Sequence, residues 1–177
     1  MNYRYPRAVS HRCSWPVRLR PFAHGDAELL ADWGADPVFC AHAGWNADAS
    51  WRERVAWARR DLPDDLLRRA ALVGADVVGY VDLDGAGERR ELGYVVGGRD
   101  RWGQGLGHAV AFAGLEWGFG SLGLAEIWAE AIDANVPSVR ILERLGMRET
   151  GRGGDATFLG RNSFYRVFTL TATEFAP

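Results

Sequence analysis

A chain of 177 residues, 47% apolar and 25% charged, can fill one well-packed domain but not two generous ones. Lys+Arg 21 against Asp+Glu 23 leaves a net charge of −2, so no basic field is offered to nucleic acid. All the basic residues are Arg, which excludes a Walker-type phosphate loop, a Schiff base and a pyridoxal-phosphate anchor, since each needs Lys.

Residues 1–15 show no periodicity and read as an extension ahead of a single domain over 16–177. Alternation of apolar and polar residues over 17–22 predicts a half-buried strand. Asp26 then offers an N-cap to a helix over 27–33, closed by Gly34. In 36–50, Pro37, Gly44 and Asn46 argue against a long regular element. Ser50 opens a second helix with Val55, Trp57 and Ala58 on its apolar face.

From Ala70 the period becomes that of strands. Runs over 70–73 and 77–83 flank the hairpin residues Gly74 and Ala75, and a glycine-rich turn over 84–87 leads to a strand over 91–96, an antiparallel meander. A helix over 108–119, a strand over 126–131, a helix over 136–145 and strands over 147–151 and 163–171 complete the chain. Order β-α-α-β-β-β-α-β-α-β-β is α/β with a mixed sheet. Cys13 and Cys40 form no metal-spaced pair, and no apolar run reaches the ~18 residues of a membrane span. A soluble cytoplasmic protein without a metal is the expectation.

Between the strand 91–96 and the following helix lies GGRDRWGQGLG. Gly103, Gly105 and Gly107 alternate just before the helix, whose first-turn amides have no internal partners and whose dipole adds positive character. Strand, glycine turn and helix N-terminus form an anion cradle, with Arg101 at its rim. A tight turn that brings helix close to sheet is the alternative. A dinucleotide-binding fold uses the same physics, but this loop is G-x-G-x-G after a meander, not G-x-G-x-x-G in an opening parallel unit.

ELGYVV, RDRWGQGLGHA and IWAEAIDANVPSVRILERLGM together resemble the GNAT acetyltransferase superfamily. Within it they resemble the subgroup holding ribosomal-protein N-terminal acetyltransferases and many small-amine enzymes. WGQGLG aligns with its Gln/Arg-x-x-Gly-x-Gly/Ala signature, keeping Gly105 and Gly107 but placing Trp102 where Arg or Gln usually stands. The resemblance implies a mixed, mostly antiparallel sheet flanked by helices, with a V-shaped splay between its two central strands. It also implies acetyl-CoA as acyl donor, its pyrophosphate on the amides of Gln104, Gly105, Leu106, Gly107 and His108 and its pantetheine along Tyr94, Val95 and Val96. Asn135 would bind the pantetheine, Ser138 would lie near the sulfur as the acid, and Arg140 would reach a phosphate; an N-cap, a first-turn serine and a solvated arginine are the alternatives. Glu91 is the candidate base, or else a surface carboxylate beside Arg89 and Arg90. Tyr165 is a second acid candidate, or else a buried aromatic. The segment 39–51 would line the acceptor pocket, with Trp45, Asp48 and Trp51 holding the amine; an aromatic core cluster is the other reading. The implied activity is acetyl transfer to a primary amine, of a small molecule or a protein N-terminus, by direct attack in a ternary complex. A non-catalytic acyl-CoA sensor is the competing reading, and a homodimer is expected by analogy.

Overall fold

The computed structural model describes residues 15–175, so Cys13 and most of the expected N-terminal extension lie outside the described residues. The strands are β1 (Val17–Pro21), β2 (Leu66–Val73), β3 (Asp76–Asp84), β4 (Arg89–Val96), β5 (Glu126–Ile132), β6 (Arg148–Phe158) and β7 (Arg161–Thr171). The helices are α1 (Asp26–Trp33), α2 (Pro37–Ala43), α3 (Trp51–Arg59), α4 (Leu106–Glu116) and α5 (Val136–Arg144). One seven-stranded sheet runs β1-β2-β3-β4-β5-β7-β6, with every pairing antiparallel except β4 with β5. The fold is the expected mixed α/β sheet flanked by helices.

Local chemistry explains most boundaries. Ser50 accepts from the Glu53 N–H while the Glu53 carboxylate accepts from the Ser50 N–H, a reciprocal cap that starts α3. Asp26 departs from expectation: Gly25 is the N-cap of α1, and the Asp26 carboxylate is taken instead by Arg20, at 2.6 and 2.7 Å, and by the Ala23 N–H. The segment after Gly34 holds no long element, as expected, but does hold the seven-residue α2, which the expected element order lacks. Asp36 accepts from the amides of Val38 and Phe39, Pro37 stands at the first helical position, and Gly44 ends the helix at φ 68°. Pro37 and Gly44 bracket this short helix.

Nine of the 11 residues of α4 are buried, so this helix is apolar all round and lies inside the domain core. It starts two residues before the expected position, on Gly105, and passes into a π turn over Trp117–Ser121. A Cβ on Gly114 would stand 2.8 Å from the Val81 and Leu92 side chains, so glycine lets helix and sheet approach. The neighbouring Tyr80 points to the opposite face, where it meets Trp45 and where α1–α3 form the second layer.

The parallel pairing of β4 with β5 is brief: Arg89, Arg90 and Glu91 oppose Glu126, Ile127 and Trp128, and the strands then part. Beyond Glu91, β4 stays paired with β3 and β5 with β7. The far edge of 92–96 is thereby left open, and the two central strands enclose a V.

Candidate active site

The glycine loop closes the wide end of that V. Gly103 and Gly105 have φ of 74° and 83°, a region that side chains with a Cβ enter at a cost. Gly107 has another reason to be small, because a Cβ there would stand 2.8 Å from Ile141 Cδ1 of α5. Among the described residues, no carbonyl or side chain accepts a hydrogen bond from the N–H groups of Gly103, Gln104, Gly105, Leu106 or Gly107. These amides therefore stand open at the positive end of α4.

Side-chain donors set the loop's attitude. Trp102 Nε1 donates to the Val96 carbonyl at 3.1 Å, Gln104 Nε2 to the Asp100 carbonyl at 2.7 Å, and Trp15 Nε1 to the Gln104 carbonyl at 2.9 Å. In a trans peptide, C=O and N–H point in opposite directions. Holding the Gln104 carbonyl toward Trp15 therefore turns the Gly105 N–H away from it. Trp15→Phe keeps the ring but loses this bond. It should weaken CoA binding about fivefold, the worth of one hydrogen bond at ~1 kcal/mol, and leave pantetheine binding unchanged in calorimetry.

A cavity of about 230 Å³ fills the splay. Tyr94, Val95 and Val96 form its β4 wall; Arg101, Trp102, Gly103 and Gly107 come from the loop and α4. Asn135 and Ser138 face them from the start of α5. Nine of the residues expected from the sequence are thus brought together. Asn135, only 7% exposed, has a buried Oδ1 beside the His42 imidazole, and among the described residues no donor completes a well-formed hydrogen bond to it; Arg101 Nη1 is likewise buried and unsatisfied. Buried polar atoms left open in a cavity are built for a ligand that completes them. An acceptor, a guanidinium donor and free loop amides fit a chain of amides ending in a diphosphate, which is the chemistry of CoA.

The cavity's electrostatics favour protonated hydroxyls. Tyr94 OH lies 3.1 Å from Ser138 Oγ, and burial pushes the phenol up to about 12 despite that hydrogen bond. Both hydroxyls hold their protons at neutral pH and can give one to a developing thiolate. Glu91 is placed differently, at the closed end of the V opposite Trp128 and outside the cavity wall. Its Cα is ~13 Å along the strand from that of Val95, at ~3.3 Å per residue. Burial raises its carboxyl pKa, and the charges of Glu130 and Asp84 raise it further.

Other expected site residues lie elsewhere. Leu106 and His108 turn their side chains into the core, so only their backbones face the loop. Arg140 is exposed on α5, and Tyr165 is half-buried on β7 opposite Ile132. Trp45 packs among Phe39, Trp57 and Tyr80; Asp48 is exposed; Trp51 is 45% exposed and donates to Asp32. None of these three lines the cavity. Within the 39–51 segment expected to line an acceptor pocket, it is Phe39, His42 and Ala43 that roof the cavity, from α2, while Pro137 and Ile141 on α5 were not expected there. The Asp36-Pro37 cap and Gly44 stop were the signal that could have found α2.

A family model described as an acetyltransferase (GNAT) domain matches residues 17–148. The chain is 31% identical over 170 residues to the uncharacterized N-acetyltransferase p20 of Bacillus licheniformis, covering 90% of this chain and 95% of that protein. It is 25% identical over 149 residues to the uncharacterized protein MJ1062 of Methanocaldococcus jannaschii, 77% of this chain but only 29% of that longer protein. Among solved structures, spermidine N-acetyltransferase from Vibrio cholerae, in complex with CoA and spermine, superimposes with a TM-score of 0.78 at 16% identity, over 90% of this chain and 97% of that one. Family model, relative and open glycine cradle agree: this chain belongs to the GNAT acetyltransferases and is an N-acetyltransferase that draws its acetyl group from acetyl-CoA.

Proposed function

We propose that the chain acetylates the primary amine of a small cationic molecule by direct attack on the thioester in a ternary complex. The pantetheine would lie along the open edge of 92–96, its amide reaching Asn135 Oδ1, with the diphosphate on the amides of Gly103 to Gly107. The Tyr94–Ser138 hydroxyl pair would protonate the departing sulfur. Positioning and exclusion of water would supply much of the rate. One observation carries the choice of a polycation: Glu91, Glu130 and Asp84 form a carboxylate cluster at the closed end of the V, outside the cavity wall. That cluster is placed for a distal charge of the acceptor and not for its reacting amine. The Vibrio cholerae enzyme of the same fold holds spermine. A protein N-terminus, the substrate of the ribosomal-protein subgroup, carries a single charge and gains less from this cluster.

Calorimetry with CoA comes first, followed by thiol release from acetyl-CoA with spermidine, an aminoglycoside and a short peptide with a free N-terminus. Turnover with the polycations above that with the peptide is expected; the reverse order would return the chain to the N-terminal acetyltransferases. Tight CoA binding with no turnover on any amine would make it a sensor. Ser138→Ala should lower kcat about tenfold while CoA affinity stays within about twofold. Unchanged kcat would remove Ser138 from the proton path.

A further inference from the structure

An amine that attacks a thioester must lose a proton, and the cavity wall offers few places for it. Among the described residues lining it, only His42 carries a lone pair that is basic near neutrality. Tyr94 and Ser138 hold their protons, and Arg101 is a permanent cation. His42 is on the inward side of α2, its ring 4.6 Å from Trp102 and 4.9 Å from Phe158, centroid to centroid. Those contacts fix the imidazole between the glycine loop and the end of β6. Val96, at the end of the β4 wall of the cavity, is close at hand because Trp102 is hydrogen-bonded to its carbonyl.

We propose that His42 is the base that takes the proton from the attacking amine. The inference rests on the cavity being the acetyl-transfer site. Attack forms the C–N bond and moves the carbonyl π pair onto oxygen, leaving an extra proton on nitrogen. The neutral imidazole accepts that proton. The carbonyl then re-forms, the C–S bond breaks with its electron pair on sulfur, and the thiolate is protonated from the Tyr94–Ser138 pair. That pair is reprotonated from the imidazolium through solvent, so amine and thioester give amide and thiol with no change of oxidation state.

The surroundings keep the imidazole neutral before reaction. Burial lowers its pKa, the Asn135 amide beside it works the other way, and the positive charge of Arg99 adds to the lowering. Arg99 is itself paired with Asp36, at 3.3 Å, and Arg101 supplies the other nearby cation. Glu91, outside the wall, is the rival base.

The test compares wild type, His42→Gln and Glu91→Gln, each checked for folding by circular dichroism. Calorimetry with CoA should give affinities within about twofold for all three. In thiol-release assays with the best amine of the panel, His42→Gln should lose about 100-fold in kcat and the acidic limb of its pH profile. The amine's own ionisation enters every profile equally, so the lost limb belongs to the enzyme. In wild type, NMR titration of the His42 imidazole should give the pKa of that limb, a readout independent of any variant's folding. An imidazole that titrates elsewhere, a limb that disappears in Glu91→Gln instead, or a His42→Gln loss confined to CoA affinity would each overturn the proposal. Wild type that failed to bind CoA would instead overturn the site.

Discussion

Gly105→Glu is expected to abolish CoA binding, with affinity falling at least about 100-fold, because it attacks the cradle in two independent ways. The backbone stands at φ 83°, where a Cβ meets the neighbouring carbonyl at a cost of ~1–2 kcal/mol. The new carboxylate would also occupy the positive end of α4, in the space where a diphosphate would accept from the open amides. Two companions separate these effects. Gly105→Asn, which tolerates the left-handed region, should bind CoA within about tenfold of wild type, and Gly105→Ala should show the strain without the charge. Gly107→Ala, two residues on and inside α4, is a milder change, because its Cβ meets the flexible tip of Ile141 rather than a rigid backbone. Isothermal calorimetry with CoA at low and high salt reads the series. Unchanged CoA affinity in Gly105→Glu would mean that the loop is a structural turn and the diphosphate binds elsewhere.

What the sequence made legible was local. The β-rich run over 91–96 and the glycines before Leu106 record the strand, the turn and the helix start within one contiguous stretch, so the cradle could be located without tertiary information. Tertiary features were hidden. β2 begins at Leu66, not Ala70, because Arg68 and Arg69 break the apolar pattern, and Arg68 is inside only through its partner on β3. β6 extends to Phe158 through the polar run GRGGDAT, held as a strand by its register with β7 rather than by any apolar face. His42 falls in the 39–51 segment expected at the acceptor pocket, but nothing in its own spacing marks it. Its place over the cavity depends on α2 folding back across the splay, which no periodicity in seven residues announces. Glu91 shows the converse case: the strand that carries it was identified, yet its distance from the cavity follows from where β4 and β5 part.

The largest stability effect is expected at Asp82→Ala. Arg68 and Asp82 face each other directly across β2 and β3, joined by two hydrogen bonds of 2.7 and 2.6 Å, and the Arg68 side chain is only 4% exposed. The guanidinium is stacked between Trp57 and Tyr80, 4.7 and 4.8 Å from their ring centroids, and Gly93 on β4 leaves room beside the Asp82 side chain. Burial pushes the Asp82 carboxyl up, and the Arg68 fork restrains it. Removing the carboxylate strands a cation that cannot lose its proton and cannot reach water, at a cost of ~3–5 kcal/mol. A fall in Tm of roughly 10 °C should follow in calorimetric unfolding. The pair itself need not be a net source of stability, since both charges were dehydrated to form it. Arg68→Met with Asp82→Leu should therefore recover most of the loss, whereas Asp82→Ala alone should not. CoA affinity, measured well below either Tm, should stay near wild type in both variants, because neither residue touches the glycine loop or the cavity. A double variant as unstable as Asp82→Ala would show that the ion pair, and not the relief of a stranded charge, holds β2 to β3 beneath the Trp45 layer.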